Sequence, residues 1–142
     1  IDQAQVFALL AQADAHNLVL QPTHSERTAA ICLCCGCCCG VLRWLKHQPK
    51  PAEAASSAFI ARLDADLCQG CETCLDRCQM EALSADGDCV VLDTDRCIGC
   101  GLCVSTCPSG ALTLERKPGS EDVQLPVDWV NTWRTARDMQ RS

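Results

Sequence analysis

The chain has 142 residues, a formal net charge of −6 and 15 cysteines. An acidic balance argues against nucleic acid as a partner, because phosphate backbones are held by basic surfaces, and no apolar stretch approaches membrane-spanning length. An odd cysteine count leaves at least one thiol outside any disulfide framework, and free thiols in such number point to a reducing compartment, the cytoplasm of an anaerobe or facultative anaerobe.

The chain opens on Ile1 rather than methionine, which leaves the native start and any signal peptide open. Asp2–Ala15 carries Val6, Leu9, Leu10 and Ala13 at helical spacing. Asn17–Gln21 follows as a short extended piece before Pro22. Gly40–His47 reads as a short helix that packs through Val41, Leu42, Trp44 and Leu45, and Gln48-Pro49-Lys50-Pro51 breaks it. Beyond this linker Phe59–Leu63, Ala82–Ser84, Val90–Leu92 and Ala111–Leu114 read as strands, with Asp86-Gly87-Asp88 as a hairpin turn. Val127–Gln140 places Val130, Trp133, Ala136 and Arg137 at helical spacing after Pro126. Trp129 and Trp133 are expected in packing or docking rather than as electron relays. His16, His24 and His47 are scattered in exposed or capping positions, with His47 alone kept as a reserve ligand.

The chemistry lies in two cysteine runs of identical spacing, Cys68-x-x-Cys71-x-x-Cys74-x-x-x-Cys78 and Cys97-x-x-Cys100-x-x-Cys103-x-x-x-Cys107-Pro108. This is the ligand pattern of bacterial 4Fe–4S clusters, and in two-cluster proteins the fourth cysteine of each run serves the other cluster. One cubane then takes Cys68, Cys71, Cys74 and Cys107, and the other Cys97, Cys100, Cys103 and Cys78. Zinc also takes Cys-x-x-Cys pairs, but usually with a longer linker between them. Gly70 and Gly99 occupy matching places, where backbone is expected to pass close to inorganic sulfide. The runs belong to a duplication at an offset of 29 residues, in which Asp64–Cys68 aligns with Asp93–Cys97 and Ala82–Ser84 with Ala111–Thr113. Each half reads as strand, cluster loop, short helix, strand. Gln79 stands where the second half has Pro108, with an expected effect on solvent access or hydrogen bonding near its cluster. Cys89 reads as a small buried hydrophobe.

Upstream, Cys32, Cys34, Cys35, Cys37, Cys38 and Cys39 fall within eight residues. Neighbours this close are not expected to pair as disulfides without strain, and a polynuclear thiolate site is the expectation, with Gly36 and Gly40 letting the backbone curl. An iron–sulfur centre, regular or non-cubane, is favoured by context. A zinc or copper thiolate cluster, or cysteines that bind nothing or are oxidised, stay open, as does the subset that ligates.

Residues 58–117, with these two runs, resemble the bacterial dicluster ferredoxin domain. The resemblance implies an α+β fold in which the two halves pack about a pseudo-two-fold axis and the clusters replace much of the core. Ile31–Arg43, followed by a proline-containing linker and this domain, also resembles the C-terminal region of larger iron–sulfur proteins of anaerobic bacteria, which implies a chain that is part of something longer. The expected organisation is a helical N-terminal region with a metal-binding loop at 31–40 (1–50), a dicluster domain (51–117) and a helical C-terminal extension (118–142). The expected function is electron transfer through two 4Fe–4S clusters linked to a third iron–sulfur site, as an electron-transfer protein or a component of an oxidoreductase. Redox proteins, such as a flavoprotein or oxidoreductase, are the expected partners. The alternatives are thiol or disulfide redox chemistry at the six-cysteine centre, and a metal-thiolate sensor or storage protein.

Overall fold

The computed structural model describes residues 1–122, 125–128 and 130. Its elements are helix α1 (Gln3–Ala15), strands β1 (Val19–Pro22) and β2 (Ile31–Cys34), helices α2 (Gly40–Lys46) and α3 (Pro51–Ala54), strand β3 (Phe59–Leu63), helix α4 (Thr73–Arg77), strands β4 (Leu83–Asp86) and β5 (Cys89–Leu92), helix α5 (Leu102–Ser105) and strand β6 (Leu112–Arg116). Among the described residues the strands form antiparallel pairs β1–β2, β3–β6 and β4–β5, a mixed α+β arrangement of small sheets. No described helix is long and apolar enough to cross a membrane.

Local chemistry sets the element boundaries. Asp2 and Gln5 form a reciprocal capping box that starts α1. Ala13 is buried and Val6 and Leu10 are half-buried, but Leu9 is 46% exposed, so the apolar stripe is narrower than predicted. In α2, Leu42 and Leu45 are buried while Val41 and Trp44 are each 55% exposed. Residues three apart share a face of a helix, and the molecule covers only the Leu42–Leu45 face. Pro51 opens α3 and is itself buried, the position at which a missing N–H costs nothing.

In the cysteine-run region, β3 pairs with β6, setting Phe59 opposite Arg116 and Leu63 opposite Leu112. The β4–β5 hairpin sets Asp86 opposite Cys89. Its two-residue loop has Gly87 at φ 60 in the first position, where a II′ turn needs glycine. Strand β3 matches its predicted range, and the other three differ at their ends.

Two apolar cores hold these pieces. One contains Ala61, Cys74, Ala82, Leu83, Val90, Cys97, Cys103 and Leu112, between the two hairpin-like pairs. The second contains Val19, Leu42, Leu45, Met80, Ile98 and Leu102, and so joins residues before the proline linker to the cysteine-run region. Arg77 reinforces this junction: it donates to the Asp14 carbonyl at 2.7 Å and carboxylate at 2.8 Å, and to the Leu102 carbonyl at 3.3 Å. Arg96 does the same through Met80 O at 2.9 Å and Lys46 O at 3.3 Å. The predicted C-terminal helix Val127–Gln140, with Trp129 and Trp133, lies almost wholly outside the described residues. Just before it, the Pro126 and Val127 carbonyls accept the N–H groups of Glu26 and Arg27 at 2.9 and 3.0 Å.

Candidate metal centres

Each cysteine run wraps as a loop that leads into a one-turn helix, α4 or α5. The turns need left-handed backbone at matching places: Gly70 and Gly99, Glu72 and Gly101, Glu81 and Gly110 all have positive φ, each pair separated by the same 29 residues as the sequence repeat. In the second half all three are glycine. In the first half two are glutamate, which pays a steric cost at positive φ. Gly70 and Gly99 have a second reason for their identity. A Cβ on Gly70 would meet the Asp88 carbonyl at 2.7 Å, and one on Gly99 would collide with the Phe59 carbonyl. The backbone therefore also passes close to the β4–β5 turn at Gly70 and to the start of β3 at Gly99.

These loops bring eight of the predicted cysteines to two cavities. Cys68, Cys71, Cys74 and Cys107 line one, a space of about 310 Å³ open in part to solvent, together with Leu63, Thr73 and Leu112. Cys78, Cys97, Cys100 and Cys103 line the other, a space of about 370 Å³ that is likewise open in part to solvent, with Ala61, Met80 and Ile98. In each case three cysteines of one run meet the fourth cysteine of the other. Four sulfurs brought to one space walled in part by aliphatic side chains, with Gln69, Glu72, Thr73 and Ser109 also lining the first, are a donor set suited to an iron–sulfur cubane.

The surroundings of the sulfurs differ between the cavities. The Cys68 thiol is held below its ordinary pKa by the Gly70 N–H, by the Cys89 thiol and by the Val90 N–H. Burial opposes ionisation of Cys107, but hydrogen bonds from the Ser109 hydroxyl and from the backbone at Leu112, Ala111 and Ser109 outweigh it and bring that thiol down. In the second cavity, burial raises Cys100. Burial, with the nearby Cys100, Cys78, Cys97 and Cys74, pushes Cys103 up to about 12. Backbone donors are present there too: Ala61 N–H lies 3.4 Å from Cys97 Sγ and Ala82 N–H 3.2 Å from Cys78 Sγ. Donors of this kind stabilise negative sulfur and tune a bound cluster. Cys89 is not the inert hydrophobe expected. It is half-buried and its thiol faces Cys68, a contact created by the β4–β5 hairpin rather than by any local spacing.

Five of the six cysteines in the segment fall into two groups. Strand β2 carries Cys32 and Cys34, a turn carries Cys35 to Cys38, and Cys39 caps α2. The sulfurs of Cys35, Cys37 and Cys38 lie within 4.8 Å of one another on an accessible turn. Cys35 and Cys37 are joined as a disulfide, contrary to the expectation that neighbours so close would not pair. The turn at Gly36 sets their Cα atoms 5.3 Å apart, inside the ordinary disulfide range. Cys38 Sγ sits 3.3 Å from Cys35 Sγ. Reduced, the three sulfurs offer a compact thiolate face.

The inner group is Cys34 and Cys39. The Leu42 N–H leads the hydrogen bonds that hold Cys39 below its ordinary pKa, with Cys34 and Gln21 also contributing. Burial raises Cys34, and the Cys39 contact adds to this. Gln21 Nε2 approaches Cys39 Sγ at 3.7 Å. His47 sits at the C-terminal end of α2, its backbone N–H bonded to Trp44.

Residues 90–113 match the family of 4Fe-4S binding domains, a stretch that contains Cys97, Cys100, Cys103 and Cys107. No curated protein matches the chain. The chain therefore carries an iron–sulfur, ferredoxin-like domain with a site for at least one 4Fe–4S cluster.

Proposed function

We propose that this protein is an electron-transfer unit with two 4Fe–4S clusters and a third iron–sulfur centre. Cys68, Cys71, Cys74 and Cys107 hold the first cluster, and Cys97, Cys100, Cys103 and Cys78 the second. The third draws on Cys32, Cys34, Cys35, Cys37, Cys38 and Cys39. The observation that carries this reading is the pair of cavities, each lined by three cysteines of one run and the fourth of the other. The left-handed positions repeated at the same offset support two equivalent halves about a pseudo-two-fold axis, a dicluster domain at 51–117 flanked by regions 1–50 and 118–142.

Bound clusters supply one-electron storage and release. The chain's own part is to fix their spacing, to aim N–H donors at the sulfurs and to bury Cys97 and Cys103 of the second site. The acidic balance of the sequence suits a redox partner with a basic docking face, such as a flavoprotein or oxidoreductase component. Anaerobic cytoplasm is the compartment in which such thiolates would receive iron and sulfide.

Chemical analysis tests the reading. Anaerobically isolated protein is assayed for iron, acid-labile sulfide and zinc, and examined by EPR before and after reduction. More than about eight irons per chain supports the third centre, and about eight leaves the two cubanes alone. Stoichiometric zinc at the loop overturns the iron–sulfur assignment there.

One observation favours a second reading for the loop. The Cys35–Cys37 disulfide with Cys38 beside it is arranged for thiol–disulfide exchange, in which a thiolate attacks one sulfur and displaces the other. Two electrons and two protons return the disulfide to two thiols. Quantitative alkylation of the native chain, with and without prior reduction, separates a redox-active disulfide from a metal-loaded loop.

A further inference from the structure

Gln79 stands where the six-cysteine loop meets the cysteine-run region, directly after Cys78. Both ends of its carboxamide are used. Oε1 accepts the Gly36 N–H at 2.8 Å, and Nε2 donates to the Asn17 carbonyl at 2.9 Å. The corresponding residue in the other half, Pro108, has a side chain that makes neither kind of bond.

The contact also crowds the residue opposite. A Cβ on Gly36 would lie 2.8 Å from Gln79 Oε1 and 3.6 Å from the Gln79 carbonyl oxygen. Gly36 is not among the positive-φ glycines, so its identity serves close approach rather than backbone conformation. Asn17 is itself a left-handed residue, at φ 58, and its Nδ2 donates to Asp76 O at 3.2 Å. The end of α1, the loop and the residues flanking Cys78 thus close on one another.

Beneath this latch the apolar packing is selective. Cys34 and Cys39 of the loop and Cys78 and Cys100 of the second cavity pack on the same core of Leu42, Met80 and Ile98. Cys68, Cys74 and Cys107 pack only on the other core, which also takes Cys78, Cys97 and Cys103 and contains no residue of the loop.

We infer that Gln79 is a positioning residue: it holds the six-cysteine loop against the Cys78–Cys100 wall. A metal centre on the loop is thereby coupled to the Cys78, Cys97, Cys100 and Cys103 site and not to the Cys68, Cys71, Cys74 and Cys107 site. The inference rests on the reading of the loop as a metal centre. It orders the three sites, with the solvent-facing set outermost, the Cys78 set in the middle and the loop beyond it.

The full chain, loaded anaerobically with ferrous iron and sulfide, is compared with Gln79→Pro, Gln79→Ala and Gly36→Ala. Hydrogen exchange of the peptide containing Gly36 reads the latch. Magnetic interaction between the loop centre and a cubane in dithionite-reduced protein, seen as splitting or faster relaxation in EPR, reads the coupling. Removing the Gln79 contact is expected to speed exchange at Gly36 about tenfold, and to weaken the magnetic interaction while iron in the two four-cysteine sites is retained. Unchanged exchange and unchanged coupling in Gln79→Ala would overturn the assignment. Gly36→Ala attacks the same contact from the other side, so the test survives if the proline variant does not fold. If the wild-type chain holds no metal at the loop, the metal reading fails by that result, and the exchange arm still decides whether Gln79 fixes the loop.

Discussion

Around Cys68, Cys71, Cys74 and Cys107 the chain leaves Cys71 exposed and supplies short polar neighbours, Thr73 and Ser109, that bond to sulfur. Around Cys78, Cys97, Cys100 and Cys103 it packs Met80, Ile98 and Leu102, and through them the loop, α2 and Val19 of β1. One repeated ligand pattern thus produces two unequal environments. The inequality comes from residues before the proline linker, which pack on only one of the two four-cysteine sites. Duplication supplies the sites; the upstream segment makes them different.

The largest effect that would sharpen this contrast is loss of a covered ligand. Cys103 is 9% exposed, whereas Cys71 is exposed. Cys103→Ser is expected to lose about half of the cubane iron and to lower the anaerobic melting temperature more than Cys71→Ser does, because metal–sulfur bonds and core are coupled there. Equal losses would break the comparison.

Next is the Arg77 junction. Its side chain is only 15% exposed, and it ties Asp14 at the end of α1 to α4 and α5. Arg77→Ala is expected to cost about 2 kcal/mol in chemical denaturation. Iron should be lost from the covered site before the open one.

The glutamates at positive φ give a change in the opposite direction. Glu72→Gly installs the residue that Gly101 supplies in the other half, and is expected to stabilise the protein by about 1 kcal/mol. Glu81→Gly should gain less, because it also removes the ion pair with Lys46.

The smallest expected effect is electronic. The Cys89 thiol faces Cys68 and helps hold it below its ordinary pKa, so Cys89→Val should lower the reduction potential of the open site and leave that of the covered site unmoved, as measured by EPR-monitored titration.

The grouping of the cysteines at two cavities was legible in the sequence because the spacing of each run is local, and β3 was legible because Phe59–Leu63 is a bounded apolar run. Gln79 stood out as the residue that breaks the repeat, with an effect on hydrogen bonding near its site. Its bonds to Gly36 and Asn17 lie 43 and 62 residues away and were not readable from any periodicity. Cys89 was misread for the same reason, since its contact with Cys68 exists only once the hairpin register sets Cys89 opposite Asp86. The positive-φ glutamates were hidden because nothing in a glutamate announces left-handed backbone; only alignment with Gly101 and Gly110 could have exposed them. In α2 the apolar residues were found but half of them face outward, because a short helix can bury only the face its neighbours cover.

The central claim is that each site takes its fourth cysteine from the other run. The most direct test is the EPR spectrum of reduced Cys78→Ser beside those of Cys103→Ser and Cys71→Ser. The account predicts that Cys78→Ser perturbs the same cluster signal as Cys103→Ser and leaves the signal altered by Cys71→Ser intact. A Cys78→Ser spectrum that matches Cys71→Ser would contradict it.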